Sequence, residues 1–236
     1  MSIGRTILIK MERKGKKDVG NVMKYEVVEI FDSIQGEGIN IGTPSTFIRL
    51  ARCNLKCKWC DSKYSWEKGK MMTIPQILKK VHKYNVVITG GEPLLQNLNP
   101  LLDKLNKSGE IEIETNGTLF DKNIIKKARF NISPKFQYIN EEVLKSYNWV
   151  SQEYKDYVES TSFKFVIEDK KTYNKAKELI NKLNLENVIF MPEGIDKETI
   201  LKRSKEISKW ILKDDLNIVR IIPRLQILLW GNIRKT

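Results

Sequence analysis

Short apolar or β-branched runs alternate with longer amphipathic stretches along most of this 236-residue chain. This alternation predicts an α/β fold with a parallel sheet and crossover helices. Because the number of strands and the length fall short of eight full units, we expect an incomplete (β/α) barrel. The predicted strands are Tyr25–Phe31, Thr46–Ala51, Val86–Thr89, Ile111–Thr115, Phe130–Ser133, Ser162–Ile167, Val188–Met191 and Asn217–Ile222. The predicted helices are Ile74–Tyr84, Asn97–Lys107, Glu141–Ser146, Lys171–Leu183 and Lys197–Leu212.

Several predicted strands end in turns rich in glycine, serine or proline. These turns are Thr89-Gly90-Gly91, Thr115-Asn116-Gly117, Ser133-Pro134 and Met191-Pro192. In α/β sheets the carboxyl ends of the strands form the edge that binds ligands. We therefore expect the chemistry of this protein at these turns.

Residues 1–24 are basic, with a highly charged run at Lys14–Asp18, and indicate an extension ahead of the domain. The extension would form a hairpin, with Thr6–Arg13 paired to Met23–Phe31, or be partly disordered. No linker divides the remainder, so we expect a single domain over residues 25–236. No apolar run approaches the roughly 18 residues that a membrane span needs. We expect a soluble, cytoplasmic protein.

The chain has 42 lysines and arginines against 29 acidic residues, a formal net charge of +13. Such a field favours anionic partners. The lysines, however, stand beside glutamates in Lys170–Glu178 and Lys197–Lys209, as on the solvated face of a helix. Nothing in the sequence resembles an aromatic and basic platform for RNA. We therefore expect no nucleic-acid partner, whereas a small acidic substrate would suit the charge.

All three cysteines of the chain, Cys53, Cys57 and Cys60, follow one another in a C-x3-C-x2-C pattern. An odd, tightly spaced set is a poor disulfide framework and indicates a metal site in a reducing compartment. Thiolates suit zinc or an iron–sulfur cluster. A cubane cluster usually takes four thiolates, so three would leave one iron open to a small molecule.

Two other interpretations of the cysteines are weaker. Structural zinc needs a fourth ligand, and the only histidine, His82, follows later in a predicted helix. Buried packing is disfavoured because Lys56 and Lys58 lie between the thiols, which places them on a loop leaving a strand. His82 has no candidate ligand partner nearby, and we interpret it as an ordinary surface or core residue.

The cysteine spacing, with Trp59 just before the last cysteine and a strand before the loop, resembles the radical S-adenosylmethionine (SAM) superfamily. The resemblance implies a TIM-like barrel whose three thiolates hold a 4Fe–4S cluster, with the open iron chelating the amino and carboxylate groups of SAM. The segment Thr89-Gly90-Gly91-Glu92-Pro93 resembles the part of the superfamily that holds the methionine moiety. Its glycines would let the backbone approach a ligand. A plain Gly-Gly turn is the alternative, but the cysteines upstream favour the functional interpretation.

Two further strand ends carry candidate residues. Glu114 resembles an acidic strand end that faces the cofactor, while the Asn116-Gly117 pair after it is a turn signal in itself. Lys135 either pairs with the cofactor carboxylate or is an ordinary surface lysine.

Several segments together resemble one family of this superfamily, the 7-carboxy-7-deazaguanine synthases, from about Tyr25 to Arg234. The resemblance implies a carbon–nitrogen lyase acting on 6-carboxy-5,6,7,8-tetrahydropterin. A 5′-deoxyadenosyl radical takes a hydrogen from C6, the ring contracts with loss of ammonia, and 7-carboxy-7-deazaguanine results. This product is a precursor of queuosine and archaeosine in tRNA. The segments are Phe31–Gly38, Gly42–Pro44, Phe47–Leu50, the cysteine loop, Asp61–Trp66, Asn217–Pro223 and Leu228–Asn232.

The same resemblance implies roles for residues at matching positions. Arg49 would pair with the substrate carboxylate, as guanidinium does bidentately. Other substrate contacts would be Ile34, Gln35, Gly36, Thr89 and Gln226. The cofactor would be bound by Trp59, Cys60, Asp61, Gly91, Glu92, Glu114, Ser133, Pro134, Lys135, Met191, Pro192, Glu193 and Gly194.

Two positions need separate comment. Ser62 matches a hydroxyl that binds Mg²⁺, a hard ion that takes oxygen ligands, although serine also caps turns. Gln226 stands where relatives often have a histidine facing the substrate. A glutamine amide donates and accepts hydrogen bonds but cannot become a cation.

By family resemblance we also expect a homodimer and an electron donor of the flavodoxin or ferredoxin type. An alternative enzyme is another small radical SAM protein, such as a glycyl-radical activase. Arg49, Ser62 and the run Gln35-Gly36-Glu37 favour a small carboxylated substrate instead. The non-enzymatic alternative, a zinc-stabilised RNA-binding module, lacks a fourth zinc ligand and leaves the Gly-Gly-Glu-Pro segment unexplained.

Overall fold

The protein is described by a computed structural model at residues 23–106, 109–145, 147 and 161–235. Its strands are β1 (Lys24–Ile34), β2 (Pro44–Leu50), β3 (Lys70–Thr73), β4 (Asn85–Gly90), β5 (Ile111–Thr115), β6 (Arg129–Ile132), β7 (Thr161–Ile167), β8 (Val188–Pro192) and β9 (Val219–Ile221). Its helices are α1 (Ile74–Leu78), α2 (Asn99–Leu105), α3 (Lys170–Leu183), α4 (Lys197–Lys213) and α5 (Leu225–Trp230). A further helical turn covers residues 141–145.

Within these residues the strands form one nine-stranded sheet in the order β3-β1-β2-β4-β5-β6-β7-β8-β9. Strand β1 runs antiparallel to both β2 and β3. From β2 through β4 to β9 every neighbouring pair is parallel. In the part of the chain that is described, the two edge strands β3 and β9 do not pair, so the sheet is curved but not closed. The predicted incomplete (β/α) barrel is confirmed.

The period of two along the strands separates the core from the inner face of the barrel. Ile48, Ile88 and Ile113 lie in register on β2, β4 and β5 and are completely buried. They belong to the hydrophobic cluster that includes the buried leucines of α2. Successive side chains on a strand point to opposite faces, so the residues that follow, such as Arg49 and Thr89, face the inside of the barrel.

The two long helices have clear starts. Asp169 accepts a hydrogen bond from the Thr172 amide (2.7 Å), and Asp196 accepts one from the Thr199 amide (2.8 Å). Such caps satisfy amides that have no partner within the helix. Helix α3 ends at Asn184, which has a left-handed backbone conformation (φ 48°). None of the described helices is long and apolar enough to cross a membrane.

Three observed elements depart from the prediction. The helix predicted over Ile74–Tyr84 ends at Leu78, because the amides of His82 and Lys83 instead donate to Thr46 Oγ1 (3.1 Å each). Strand β3 and helix α5 were not predicted. Both depend on contacts with distant parts of the chain. Strand β3 pairs with β1, and at the start of α5 the Leu225 amide donates to the Gly36 carbonyl (3.0 Å).

The extension and the domain division stay predictions. The first arm of the predicted hairpin, Thr6–Arg13, lies outside the described residues. The second arm is the strand β1, whose described partners are β2 and β3. Ser146, the last residue of another predicted helix, also lies outside.

Candidate active site

The carboxyl ends of the parallel strands border a cavity of about 340 Å³. The turns after β2, β4, β5, β6 and β8 all contribute to its wall, as expected from the sequence. Three predicted site residues do not line the cavity: Glu92, Pro134 and Pro192. The predicted residues that do line it are Ile34, Gln35, Gly36, Arg49, Cys53, Cys57, Trp59, Cys60, Asp61, Ser62, Thr89, Gly91, Glu114, Ser133, Lys135, Met191, Glu193, Gly194 and Gln226.

The three cysteines are free thiols on the loop that follows β2. Cys57 is buried, and the Cys60 amide donates to the Cys57 carbonyl (3.2 Å), which turns the loop back on itself. Burial raises the pKa of each of the three thiols. For Cys57 the positive charge of Lys135 opposes this rise.

The thiols fit a cluster better than a single ion. Among the described residues, no three or more His, Cys, Asp or Glu side chains are arranged to hold one metal ion. The three thiols line one cavity, and neither a histidine nor a fourth cysteine is among the described residues that line it with them. A cubane cluster places each thiolate on a different iron. The residues present fit a 4Fe–4S cluster with one open corner.

The two glycines after β4 allow close contact between backbone segments. A Cβ at Gly90 would lie 2.1 Å from the Leu50 carbonyl oxygen, and one at Gly91 would lie 1.9 Å from that of Arg52. The amides of Gly91 and Glu92 donate to these same two carbonyls (3.1 and 2.8 Å). The glycines thus hold the start of the cysteine loop against β4, and Gly91 also reaches the cavity.

Glu92 makes structural contacts, and its predicted role in binding the cofactor stays a prediction. The residue is completely buried behind the cavity wall. Its carboxylate accepts hydrogen bonds from Thr115 Oγ1 (2.7 Å) and from the amides of Leu94 (3.0 Å) and Asn116 (2.8 Å). Burial raises its pKa in spite of these bonds. The side chain therefore ties the turn after β4 to the end of β5.

Beside the cysteines, Lys135 Nζ donates to Ser133 Oγ (2.7 Å) and lies 5.1 Å from the centre of the Trp59 ring. Ser62 Oγ donates to Asp61 Oδ1 (2.7 Å), and the other Asp61 oxygen pairs with Arg224. Ser62 and Asp61 thus bring oxygen atoms to the wall next to Cys60. Oxygen donors of this kind fit Mg²⁺.

Arg49, elsewhere in the cavity wall, is oriented by Glu29, a residue that sequence analysis did not single out. Arg49 Nε donates to Glu29 Oε1 (2.8 Å), and no other hydrogen bond of Arg49 is found within the described residues. The Tyr64 hydroxyl donates to the same carboxylate (3.0 Å), and Arg234 pairs with its second oxygen (2.8 Å). The rest of the Arg49 guanidinium remains available to an anion in the cavity.

Polar side chains from β4, β5 and the loop after β1 form a hydrogen-bonded group on the inner face of the barrel. Thr89 Oγ1 donates to Glu114 Oε2 (2.8 Å), and Gln35 Nε2 donates to Glu114 Oε1 (3.2 Å) and to Glu112 Oε1 (2.8 Å). Glu114 was predicted on the cofactor side, but both of its carboxylate oxygens accept from predicted substrate residues. Glu112 was not predicted and lies behind the cavity wall.

A second group missed from the sequence surrounds Glu37, which lines the cavity. Its carboxylate pairs with Lys164 and with Arg224 Nε (3.1 Å), and accepts a hydrogen bond from Gln226 Nε2 (2.8 Å). Burial alone would raise the pKa of Glu37, but the charges of Lys164 and Arg224 outweigh it and lower the pKa. The side-chain amide of Gln226 is thus directed at the Glu37 carboxylate. It also packs closely against Gly36, because a Cβ at position 36 would lie 1.8 Å from Gln226 Oε1.

Comparisons with known proteins agree with this site. A model of the radical SAM superfamily matches residues 47–162. The 7-carboxy-7-deazaguanine synthase of Hyperthermus butylicus is 36% identical over 223 residues, covering 86% of this chain and 91% of the relative. That of Aquifex aeolicus is 34% identical over 209 residues, covering 84% and 90%. The chain belongs to the 7-carboxy-7-deazaguanine synthase family.

Solved structures show the same fold as this member of the 7-carboxy-7-deazaguanine synthase family. QueE from Escherichia coli superposes with a TM-score of 0.66 at 22% identity, covering 86% of this chain and 94% of that one. SuiB of Streptococcus suis bound to S-adenosylmethionine gives a TM-score of 0.50 at 12% identity, covering 73% and 45%. The prediction of a radical SAM enzyme is confirmed, and neither the glycyl-radical activase nor the zinc-stabilised RNA-binding module is favoured.

Proposed function

We propose that this protein converts 6-carboxy-5,6,7,8-tetrahydropterin to 7-carboxy-7-deazaguanine with loss of ammonia, in the synthesis of the 7-deazapurines of tRNA. The observation that carries the proposal is that three free thiols and Arg49 line one cavity. The thiols suit an iron–sulfur cluster, while the guanidinium suits a carboxylate. Family membership points to the same substrate.

The chain's own residues would position the two ligands. When bound, the cluster and SAM supply the radical that takes a hydrogen from C6 of the pterin. Arg49 would hold the substrate carboxylate, with Glu29 fixing the direction of the guanidinium. The other predicted substrate residues, Ile34, Gln35, Gly36, Thr89 and Gln226, line the same cavity. Lys135 and Ser133, close to the thiols, would bind the carboxylate and adenosine side of SAM.

The hydroxyl of Ser62 and the carboxylate of Asp61 would supply oxygen ligands to Mg²⁺ beside the substrate carboxylate. Mg²⁺ keeps several waters, so one or two protein oxygens are enough. We further propose that the protein works as a homodimer, as the family resemblance implies. We also propose that it works in the cytoplasm, because its three thiols are free and need a reducing compartment.

The electron for the cluster would come from a small acidic protein of the flavodoxin or ferredoxin type. Lys56, Lys58 and Lys63 are exposed on and beside the cysteine loop, and none of them forms an ion pair within the described residues. Trp59, between them, is 39% exposed. A cationic surface around a redox centre attracts an acidic partner and raises its association rate.

The test is anaerobic incubation of the reconstituted protein with SAM and the carboxy-tetrahydropterin, with the products identified by mass. We expect 5′-deoxyadenosine and 7-carboxy-7-deazaguanine. Cys57→Ala should form neither. Arg49→Ala should raise the KM for the pterin at least tenfold and leave the dissociation constant of SAM unchanged, because a charged hydrogen-bonded pair is lost.

The matched control is Arg220→Ala, which removes an exposed arginine from β9. Its kinetic constants should equal those of the wild type. Deoxyadenosine without a deazaguanine product from the wild type would overturn the proposed reaction. An absence of deoxyadenosine would overturn the assignment of the cofactor site.

A further inference from the structure

Four side chains that line the cavity form a row across neighbouring parallel strands. Arg49 on β2 is in register with Thr89 on β4, and Glu114 on β5 is in register with Asn131 on β6. The hydrogen bond from Thr89 Oγ1 to Glu114 Oε2 (2.8 Å) joins the two halves. Since neighbouring strands lie about 4.8 Å apart, the row is on the order of 14 Å long at the backbone.

The fourth member of the row, Asn131, has an unused donor. The residue is 1% exposed, and its Nδ2 has no hydrogen-bond partner in the described part of the chain. Ser162 Oγ donates to its Oδ1 (3.4 Å) and so sets the orientation of the amide. A Cβ at Gly38 would lie 2.3 Å from Nδ2, so only glycine leaves room for the amide there. Buried polar atoms without a partner are rare, and Asn131 belongs to the residues that line the cavity, so a ligand there that accepts a hydrogen bond would complete the amide.

Glu114, the neighbour of Asn131 in the row, presents acceptors. Each of its carboxylate oxygens receives one hydrogen bond, from Gln35 or Thr89, and a carboxylate oxygen accepts two. The side-by-side pair therefore offers an acceptor and a donor. This is the complement of a ring edge on which N–H or NH₂ groups stand beside a carbonyl oxygen.

We propose that Asn131 and Glu114 determine specificity by binding the amino–oxo edge of the pterin, with Asn131 Nδ2 donating to the 4-oxo oxygen and Glu114 accepting from the ring N–H and the 2-amino group. This inference rests on the proposed function. Arg49, at the other end of the row, would hold the carboxylate at C6. The substrate carries these two features at opposite ends of its bicyclic ring, as the row requires.

The test compares the carboxy-tetrahydropterin with its 2,4-diamino analogue, in which a donor replaces the 4-oxo acceptor. Dissociation constants are measured by anaerobic calorimetry on reconstituted protein with SAM bound, together with the rate of product formation from the natural substrate. The wild type should bind the oxo compound at least tenfold more tightly than the diamino analogue, since the analogue sets a donor against Asn131 Nδ2 and an unprotonated ring nitrogen against Glu114.

Two variants should change this preference. Asn131→Ala should weaken binding of the oxo compound about tenfold, the loss of one hydrogen bond to a buried partner. Asn131→Asp replaces the donor by an acceptor of the same shape. It should shift the preference toward the diamino analogue at least tenfold relative to the wild type, because its oxygen accepts from the 4-amino group and repels the 4-oxo oxygen.

Asn174→Asp, on the exposed face of α3, is the matched control and should keep the wild-type preference. The proposal is overturned if both Asn131 variants keep that preference, or if they lose SAM and pterin binding in parallel, which is what a purely structural role would give. Failure of the proposed function is a separate result, because the wild type itself would then neither bind nor convert the carboxy-tetrahydropterin.

Discussion

Two buried carboxylates near the cavity titrate in opposite directions. Glu112, 2% exposed, accepts hydrogen bonds from Gln35 (2.8 Å) and Asn40 (2.6 Å). Burial, and then the nearby charge of Glu114, raise its pKa to about 7. Glu37 has two cationic partners, Lys164 and Arg224, and these reverse the effect of burial on its pKa. Glu37, with two ion pairs, therefore favours the ionised form, while Glu112, which forms none among the described residues, holds its proton to a higher pH than a free glutamate.

The raised pKa of Glu112 makes stability depend on pH. Its ionised form is disfavoured in the folded protein, so its contribution to the free energy of unfolding falls as the pH rises from about 4.5 to about 7. Glu112→Gln cannot ionise. We expect this variant to gain stability relative to the wild type between pH 5 and pH 8, by up to about 3 kcal/mol at 1.4 kcal/mol per pKa unit.

Urea unfolding at the two pH values measures this difference. Glu186→Gln, an exposed change of the same kind, is the control. Its free energy of unfolding should differ from that of the wild type by the same small amount at pH 5 and at pH 8. An equal effect of Glu112→Gln at both pH values would contradict the raised pKa.

The site residues that sequence analysis located are those that belong to short motifs. The cysteines, Gly91 and Ser133 were located because they follow strand ends, and Arg49 because it matches a family motif. All of them line the cavity. The contacts of Glu37 were missed because Lys164 is 127 residues away and Gln226, although a predicted substrate residue, is 189 residues away. Spacing along the chain contains no signal for such pairs.

At the scale of elements, the segment around α5 closes one side of the cavity. Arg224 holds it in place through Glu37, Asp61 and the Gly194 carbonyl (3.2 Å). The Leu225 amide donates to the carbonyl of Gly36 (3.0 Å), the residue that directly follows Gln35 in the loop after β1. Few of these contacts are apolar, so the attachment of the segment depends on the charged groups.

Arg224→Met should loosen this segment. It leaves Glu37 with Lys164 and Gln226 and leaves Asp61 without its cation, and breaking a buried ion pair costs about 3 kcal/mol or more. We expect amide hydrogen exchange over residues 224–230 to quicken at least tenfold, with a higher KM for the pterin. Hydrogen-exchange mass spectrometry checks the first effect.

Lys177→Met, which removes an ion pair to Asp214 away from the cavity, is the control. Exchange over residues 224–230 should be unchanged in that variant. If Arg224→Met also left it unchanged, the clamp assigned to Arg224 would be wrong.

Most elements followed from periodicity, and the exceptions have a common cause. Helix α3 was predicted to within one residue because its buried side chains recur at helical spacing between an aspartate cap and Asn184. Strand β3 is only four residues long and depends on pairing with β1. Helix α5 has only Ile227 buried and is set by its contact with Gly36. Local sequence does not encode elements that another part of the chain imposes.

At the scale of the whole molecule, the net charge of +13 has a kinetic consequence. The long-range field would attract the acidic electron donor proposed above, and the exposed lysines of the cysteine loop would decide where it docks. The double variant Lys56→Glu with Lys58→Glu should slow turnover driven by reduced flavodoxin about tenfold at low ionic strength. The effect should shrink as salt screens the charges.

Turnover driven by dithionite, which needs no docking, should be the same in this variant as in the wild type. Lys202→Glu with Lys205→Glu makes the same change in net charge on the exposed face of α4. It should leave the flavodoxin-driven rate near that of the wild type. Equal slowing by both double variants would show that the total charge matters and the cysteine loop does not.

The contact between Glu37 and Arg224 also fixes when the pocket is completed during synthesis. The cysteines leave the ribosome roughly 160 residues before Arg224, an interval of roughly 8–30 s at 5–20 residues per second. Throughout that time the thiols lack one of the walls that shield them. Nascent chains are therefore the form most exposed to oxidation, and slow translation would lengthen that exposure.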